Sequence, residues 1–250
     1  MASKFAVYNE IQSVTTDSEN ALYPASNILL NPTYKEYRAT TTEAALIFDL
    51  GTARTVDTLF FCGNNATGEL PVASFTLKAN ATDSGWDTPA YESSLHTLTT
   101  DQLTYNLVHL AFTERSFRYW RLEISNPGGE YTGLSSVYLG SHVTLPVDIG
   151  YTFARRSLSK VSKGRYGQRF VDKINTIRTF ECSMSALNKE ERDLLSGIFD
   201  YCDIDTPFWL YLDTDDSELQ AGYFYFESIG EFENIAYRLY NSSFDLEENI

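Results

Sequence analysis

The side chains able to do chemistry are few and scattered. Three histidines (His96, His109, His142) fall in separate segments, and no Ser, Cys or carboxylate near them forms a nucleophile motif. Asp200 and Asp203 are spaced as an acid and base on one helix flank could be. In a chain with 34 Asp/Glu against 19 Lys/Arg, such a pair reads as solvated surface. No glycine-rich phosphate loop occurs. The run Asp213-Thr214-Asp215-Asp216-Ser217-Glu218 looks superficially like a calcium loop, but it lacks the Gly at the sixth position and the Glu at the twelfth. The three cysteines (Cys62, Cys182, Cys202) are an odd number with no close pair and no His beside them. They are expected to be buried thiols rather than a disulfide framework or a zinc site. The residues therefore point away from catalysis, and no cofactor or metal is expected.

The elements that must position any recognition surface read as strands. Aromatic residues make up 14% of the chain, with 17 Tyr and 16 Phe, a composition that suits strands and large contact surfaces. Ser74–Ala79 alternates polar and apolar, and Trp120, Leu122 and Ile124 alternate with Arg121 and Glu123, the period of a strand with one wet face. Leu46–Leu50 ends at Gly51, and Thr58–Cys62 ends at Gly63-Asn64-Asn65, both turn signals. No helical pattern interrupts this first region, so a sandwich of antiparallel sheets is expected.

Farther along, Asn188 and Glu191 form a capping box. Leu194, Leu195, Ile198 and Cys202 then recur at helical spacing, predicting one helix over about 188–202. Strands around 208–212, 223–226 and 235–246 follow it, with Asp213–Asp216 as a turn. The fold class is mainly β: a jelly-roll sandwich over 1–145, then a β-rich domain with one short helix over 146–250.

The first region resembles a discoidin-type (coagulation factor 5/8 C-type, galactose-binding-like) domain. The resemblance rests on Ala25-Ser26-Asn27-Ile28-Leu29, Ile47-Phe48-Asp49-Leu50-Gly51 with Val56, and Phe75-Thr76-Leu77 with Gly85-Trp86. Phe117 to Leu122 and Leu134 to Gly140 complete it, in family order across about 23–142. It implies ligand-presenting loops at one end of the sandwich, here with Tyr34, Tyr37, Asn64, Asn65 and Trp86, whose rings and amides suit a glycan or a protein neighbour. Leu29, Leu30 and Ser136 stand where lectin-like members of that family carry carboxylates, so calcium is not expected.

The second region resembles the sheet-rich domains of phage tail-tip and baseplate proteins. That resemblance rests on Gly164-Arg165-Tyr166-Gly167, Arg178-Thr179-Phe180-Glu181-Cys182, a Leu-rich helix and Thr206-Pro207-Phe208-Trp209-Leu210. It implies a structural virion protein, made in the bacterial cytoplasm and placed in the tail, whose partners are other tail proteins and copies of itself. The alternative is a receptor-binding adhesin that recognises host glycan.

Charge fits an assembly role. Residues 155–192 hold 10 Lys/Arg against 4 Asp/Glu, while 193–250 hold only Arg238 against 14 acids. Opposite charges on opposite flanks suit head-to-tail contacts, with Arg165 and Arg169 on the basic side. A net charge of −15 argues against nucleic acid. The opening ten residues have no apolar core of signal-peptide length, and no run approaches the ~18 apolar residues of a membrane span, so no membrane insertion is expected.

Overall fold

The two expected strands around Gly51 are one. In the computed structural model, which describes residues 2–30, 33–64, 70–148, 151–163, 165, 168–172, 176–212 and 221–249, Glu43–Cys62 is a single 20-residue strand. It bends at Gly51 instead of reversing there. Gly51 has φ +73°, and a Cβ at that position would lie 2.3 Å from Gln12 Oε1, so the bend requires glycine. Before the bend, 43–49 pairs with Ser13–Thr16 and with 119–125. After it, 58–62 pairs with 107–111 and with Ser136–Gly140. The long strand Leu107–Ser125 makes the same crossing, and Ser74–Asn80 extends the first layer. The result is the expected jelly-roll sandwich.

Alternation along these strands sorts the side chains. Leu46, Phe48, Leu77, Trp120, Leu122 and Ile124 from one layer meet Leu59, Phe61, Val108, Val137 and Leu139 from the other in one buried core. Phe61 and Phe75 close it edge to face at 5.1 Å.

The second sheet has a composition that the sequence does not announce. Its strand order is Val143–Pro146, Ala2–Ala6, Phe208–Tyr211, Ala221–Ile229, Leu239–Glu248, Thr176–Leu187 and Thr152–Ser157. The first strand of the chain thus lies inside the sheet formed by the second half, paired to 143–146 on one side and to 208–211 on the other. A division at 145/146 falls within the strand Val143–Pro146 and separates residues 4–6 from their partners at 209–211.

One face of this sheet buries Phe5, Phe208, Leu210, Phe224, Phe226, Phe244 and Leu246 with the helix Lys189–Cys202. The expected capping box forms: Asn188 Oδ1 accepts from the backbone N–H groups of Glu190 and Glu191, and Glu191 Oε2 accepts from that of Asn188. The buried stripe is Leu195, Ile198, Phe199 and Cys202, and Leu194 lies outside it, exposed. The sandwich also has a short helix, Thr100–Tyr105, that was not expected. It starts from a second capping box, Thr99 with Gln102.

The other face of the sheet meets the sandwich. Phe60, Cys62 and Tyr138 alternate outward from the sandwich core and pack with Ala6, Trp209, Tyr211 and Ala221. Phe60 stacks on Trp209 at 5.3 Å, and Trp209 stacks on Tyr223 at 4.7 Å. The two halves thus share a buried aromatic seam. The three cysteines are buried and unbridged, and burial pushes each thiol up to about 12.

Candidate functional site

The expected ligand loops gather only in part. Tyr34 is 57% exposed, and the Asn64 side-chain amide donates to its backbone carbonyl at 3.4 Å. Asn64 itself is 6% exposed, so its amide holds the loops together and does not face solvent. Tyr37 is fully buried, which corrects its assignment to the ligand surface. Its hydroxyl donates to the Ser18 carbonyl at 2.5 Å and lies 2.9 Å from Thr16 Oγ1, and burial raises it to about 12. Asn65 lies outside the described residues, as do Asp213–Asp216. Trp86 belongs to a different part of the molecule. Its hairpin leaves the strand Ser74–Asn80 at Asn80, the far end from Phe75, which touches Phe61.

Arg38 occupies the outward position next to Tyr37. Its guanidinium lies between the rings of Tyr23 (4.3 Å) and Tyr131 (4.7 Å) and donates to Glu36 Oε1. Period-two alternation at Tyr37-Arg38 is the signal that would have selected the arginine over the tyrosine for the surface.

A separate concavity lies on the outer face of the first layer. It is a cleft of about 490 Å³. Strand register builds it: Ala45, Glu123 and Thr76 form one row across three strands, and Glu43, Ser125 and Ser74 form the next. Within these rows Ala45, Thr76, Ser74 and Ser125 are small and form the floor, from which Glu43 and Glu123 rise. Its walls carry Asp17, Glu43, Arg121 and Glu123, and Leu95 borders it at 69% exposure. Glu123 is held by Lys78 (2.9 Å) and Arg121 (3.1 Å), and Asp17 Oδ1 accepts from the Ala45 backbone N–H at 2.9 Å. Arg121 carries Trp86 into this region, with its guanidinium 5.8 Å from the indole ring. Trp86 Nε1 donates to Asp83 at 3.1 Å, which fixes the ring.

No protein-family model matches the chain, and no curated protein matches it. Solved structures do. The chain is similar to a chitosan-binding module from a chitosanase/glucanase of Paenibacillus sp. IK-5 (21% identity, TM-score 0.42, covering 53% of this chain and 98% of that one). It is also similar to a family 32 carbohydrate-binding module from Clostridium perfringens NanJ in complex with galactose (12%, 0.44, 55% and 98%). A third is a pectin-binding carbohydrate-binding module (17%, 0.45, 56% and 96%). These likenesses span about half of the chain.

The histidines do not converge. His96 stacks on Phe75 at 4.9 Å. His142 Nδ1 meets both Asp57 Oδ1 (2.9 Å) and Thr58 Oγ1 (2.8 Å) on the same nitrogen, which ties the chain down after the sandwich rather than relaying a proton through the ring. His109 lies in the seam, 4.3 Å from Phe60 and 4.9 Å from Tyr211. Its buried Nε2 has no hydrogen-bond partner among the described residues, and burial lowers its pKa to about 3, so it is neutral. The basic residues Arg165 and Arg169 are exposed on a hairpin at the edge of the second sheet, well apart from the cleft in the strand order.

Proposed function

We propose that the sandwich is a saccharide-binding module and that the outer-face cleft holds the ligand. One observation carries this reading: a floor of small residues lies under carboxylates and a guanidinium, beside an exposed leucine and a fixed indole. Sugar hydroxyls donate to carboxylates and accept from arginine, while the C–H faces of the ring pack on apolar and aromatic surfaces. The cleft volume falls within the roughly 300–1,000 Å³ of small-molecule sites. In this reading Asp17, Glu43 and Arg121 make the polar contacts, and Leu95 and Trp86 make the apolar ones. Three carboxylates line the cleft, in a chain of net charge −15, so neutral or amino sugars are favoured over uronates.

Calorimetry against a panel of neutral, amino and acidic oligosaccharides tests the reading. Thr76→Trp fills the floor from the outer face, and Trp86→Ala removes the indole. Each is expected to weaken binding about tenfold or more, a loss of about 1.4 kcal/mol. Unchanged affinity in Thr76→Trp refutes the cleft, and no binding across the panel refutes the function.

A second reading is assembly into a larger particle such as a phage tail. It is favoured by the basic hairpin at the edge of the second sheet, which is exposed on both faces.

A further inference from the structure

The edge strand Thr152–Ser157 pairs with Thr176–Glu181 as part of the sheet, but beyond it Lys160–Lys163 and Arg169–Asp172 pair only with each other. All eight of these residues are exposed. A two-stranded hairpin is marginal in water unless one face is buried, yet this one leaves Val161, Phe170 and Val171 49%, 58% and 52% exposed.

Register puts Val161 opposite Val171 and, farther toward the tip on the same face, Lys163 opposite Arg169. Two cations directly opposed across a strand pair repel, and Arg165 adds a third at the turn. Among the described residues no carboxylate forms an ion pair with Lys163, Arg165 or Arg169. The arm therefore presents two valines with a cationic tip and lacks an anionic partner within its own described chain.

A surface of matching character lies on the helix Lys189–Cys202. Leu194 and Tyr201, seven residues apart, share an outward helix face and are both exposed, with the Tyr201 ring meeting that of Tyr8 edge to face at 4.6 Å. Gly197 sits between them, and a Cβ there would meet nothing within 4 Å. Glycine inside a helix costs about 1 kcal/mol relative to alanine, and nothing packed against this one requires it. It leaves a notch between Leu194 and Tyr201. Asp200 in the last turn of the same helix, and Asp203 and Asp205 just after it, are all exposed.

We infer that the arm formed by Lys160–Lys163 and Arg169–Asp172 of one copy docks on the Leu194–Gly197–Tyr201 notch of a second copy, valines into the notch and cationic tip against the aspartates. The inference rests on the assembly reading and names its contact. The two surfaces differ, so the contact is head to tail and propagates to a ring or filament rather than stopping at a dimer.

Sedimentation velocity on the full chain tests this across concentration and salt. Wild type is expected to form species larger than a dimer, weakened as salt rises from about 0.05 to about 0.5 M. Arg165→Glu with Arg169→Glu, and separately Asp200→Lys with Asp203→Lys, should each weaken association about tenfold or more. Mixing the two reversed variants should restore both contacts between unlike copies and re-form species larger than a dimer, in which the two variants alternate. Gly197→Leu should block docking without altering charge. All these sites are on the surface, so unchanged circular dichroism checks the fold. A chain that stays monomeric at every concentration, or a charge swap that restores nothing, overturns self-docking. If the arm reversal instead abolishes binding to a different protein while the chain alone is monomeric, assembly stands and the second-copy occupant is wrong.

Discussion

Truncating Trp209 tests whether the two halves are one cooperative structure. Trp209 is buried on the face of the second sheet turned toward the sandwich, stacked on Phe60 at 5.3 Å with the planes 12° apart. Removing a buried large aromatic costs about 3–5 kcal/mol. For a chain of this size each kcal/mol shifts the midpoint by about 2–4 °C, so Trp209→Ala should melt about 10 °C lower. Phe60→Ala removes the other half of the stack. The pair should show a coupling of about 0.5–1.5 kcal/mol in a double-mutant cycle by urea unfolding, the extra worth of an aromatic contact beyond area. Sandwich and second sheet are expected to unfold in one transition, because residues 2–6 are held between 143–146 and 208–211. Additive effects, or two transitions of which Trp209→Ala moves only one, would refute the shared seam.

Two further outcomes follow from buried and capping groups. His109 has a folded pKa lowered to about 3 by burial, against about 6.5 when unfolded, so between those values the unfolded chain binds a proton the folded one lacks. Stability should therefore fall as pH drops below about 6.5, by roughly 2 kcal/mol at pH 5 from this group. His109→Leu should flatten that part of the pH profile of the urea midpoint. Asn188→Ala removes a cap that accepts two backbone N–H groups and should cost about 1 kcal/mol, read from the same midpoint at pH 7.

Local periodicity made some of this legible in the sequence. Trp120, Leu122 and Ile124 alternate because one strand face is core, and Asn188 with Glu191 names a helix start wherever it occurs. Leu194 could not be separated from Leu195 by spacing alone, since either continues a helical pattern, and only the sheet beneath decides which faces in. The placement of residues 2–6 was hidden because strand partners about 140 and about 205 residues away leave no local trace. The outer-face cleft was hidden for the same reason. Ala45, Thr76 and Arg121 read as ordinary wet-face residues until register puts three strands side by side. Tyr37 was misassigned because its ring suits a ligand. A burial pattern of one residue in and the next out gives the surface position to Arg38 instead.

The measurement closest to the central claim is a saccharide titration followed by amide NMR on the full chain. With a neutral or amino oligosaccharide from the panel, shifts should centre on Ala45, Ser74, Thr76, Arg121 and Ser125, with the Trp86 indole N–H moving alongside them. Shifts confined to the loop end around Tyr34 and Asn64, or no shifts with any member of the panel, would contradict the account.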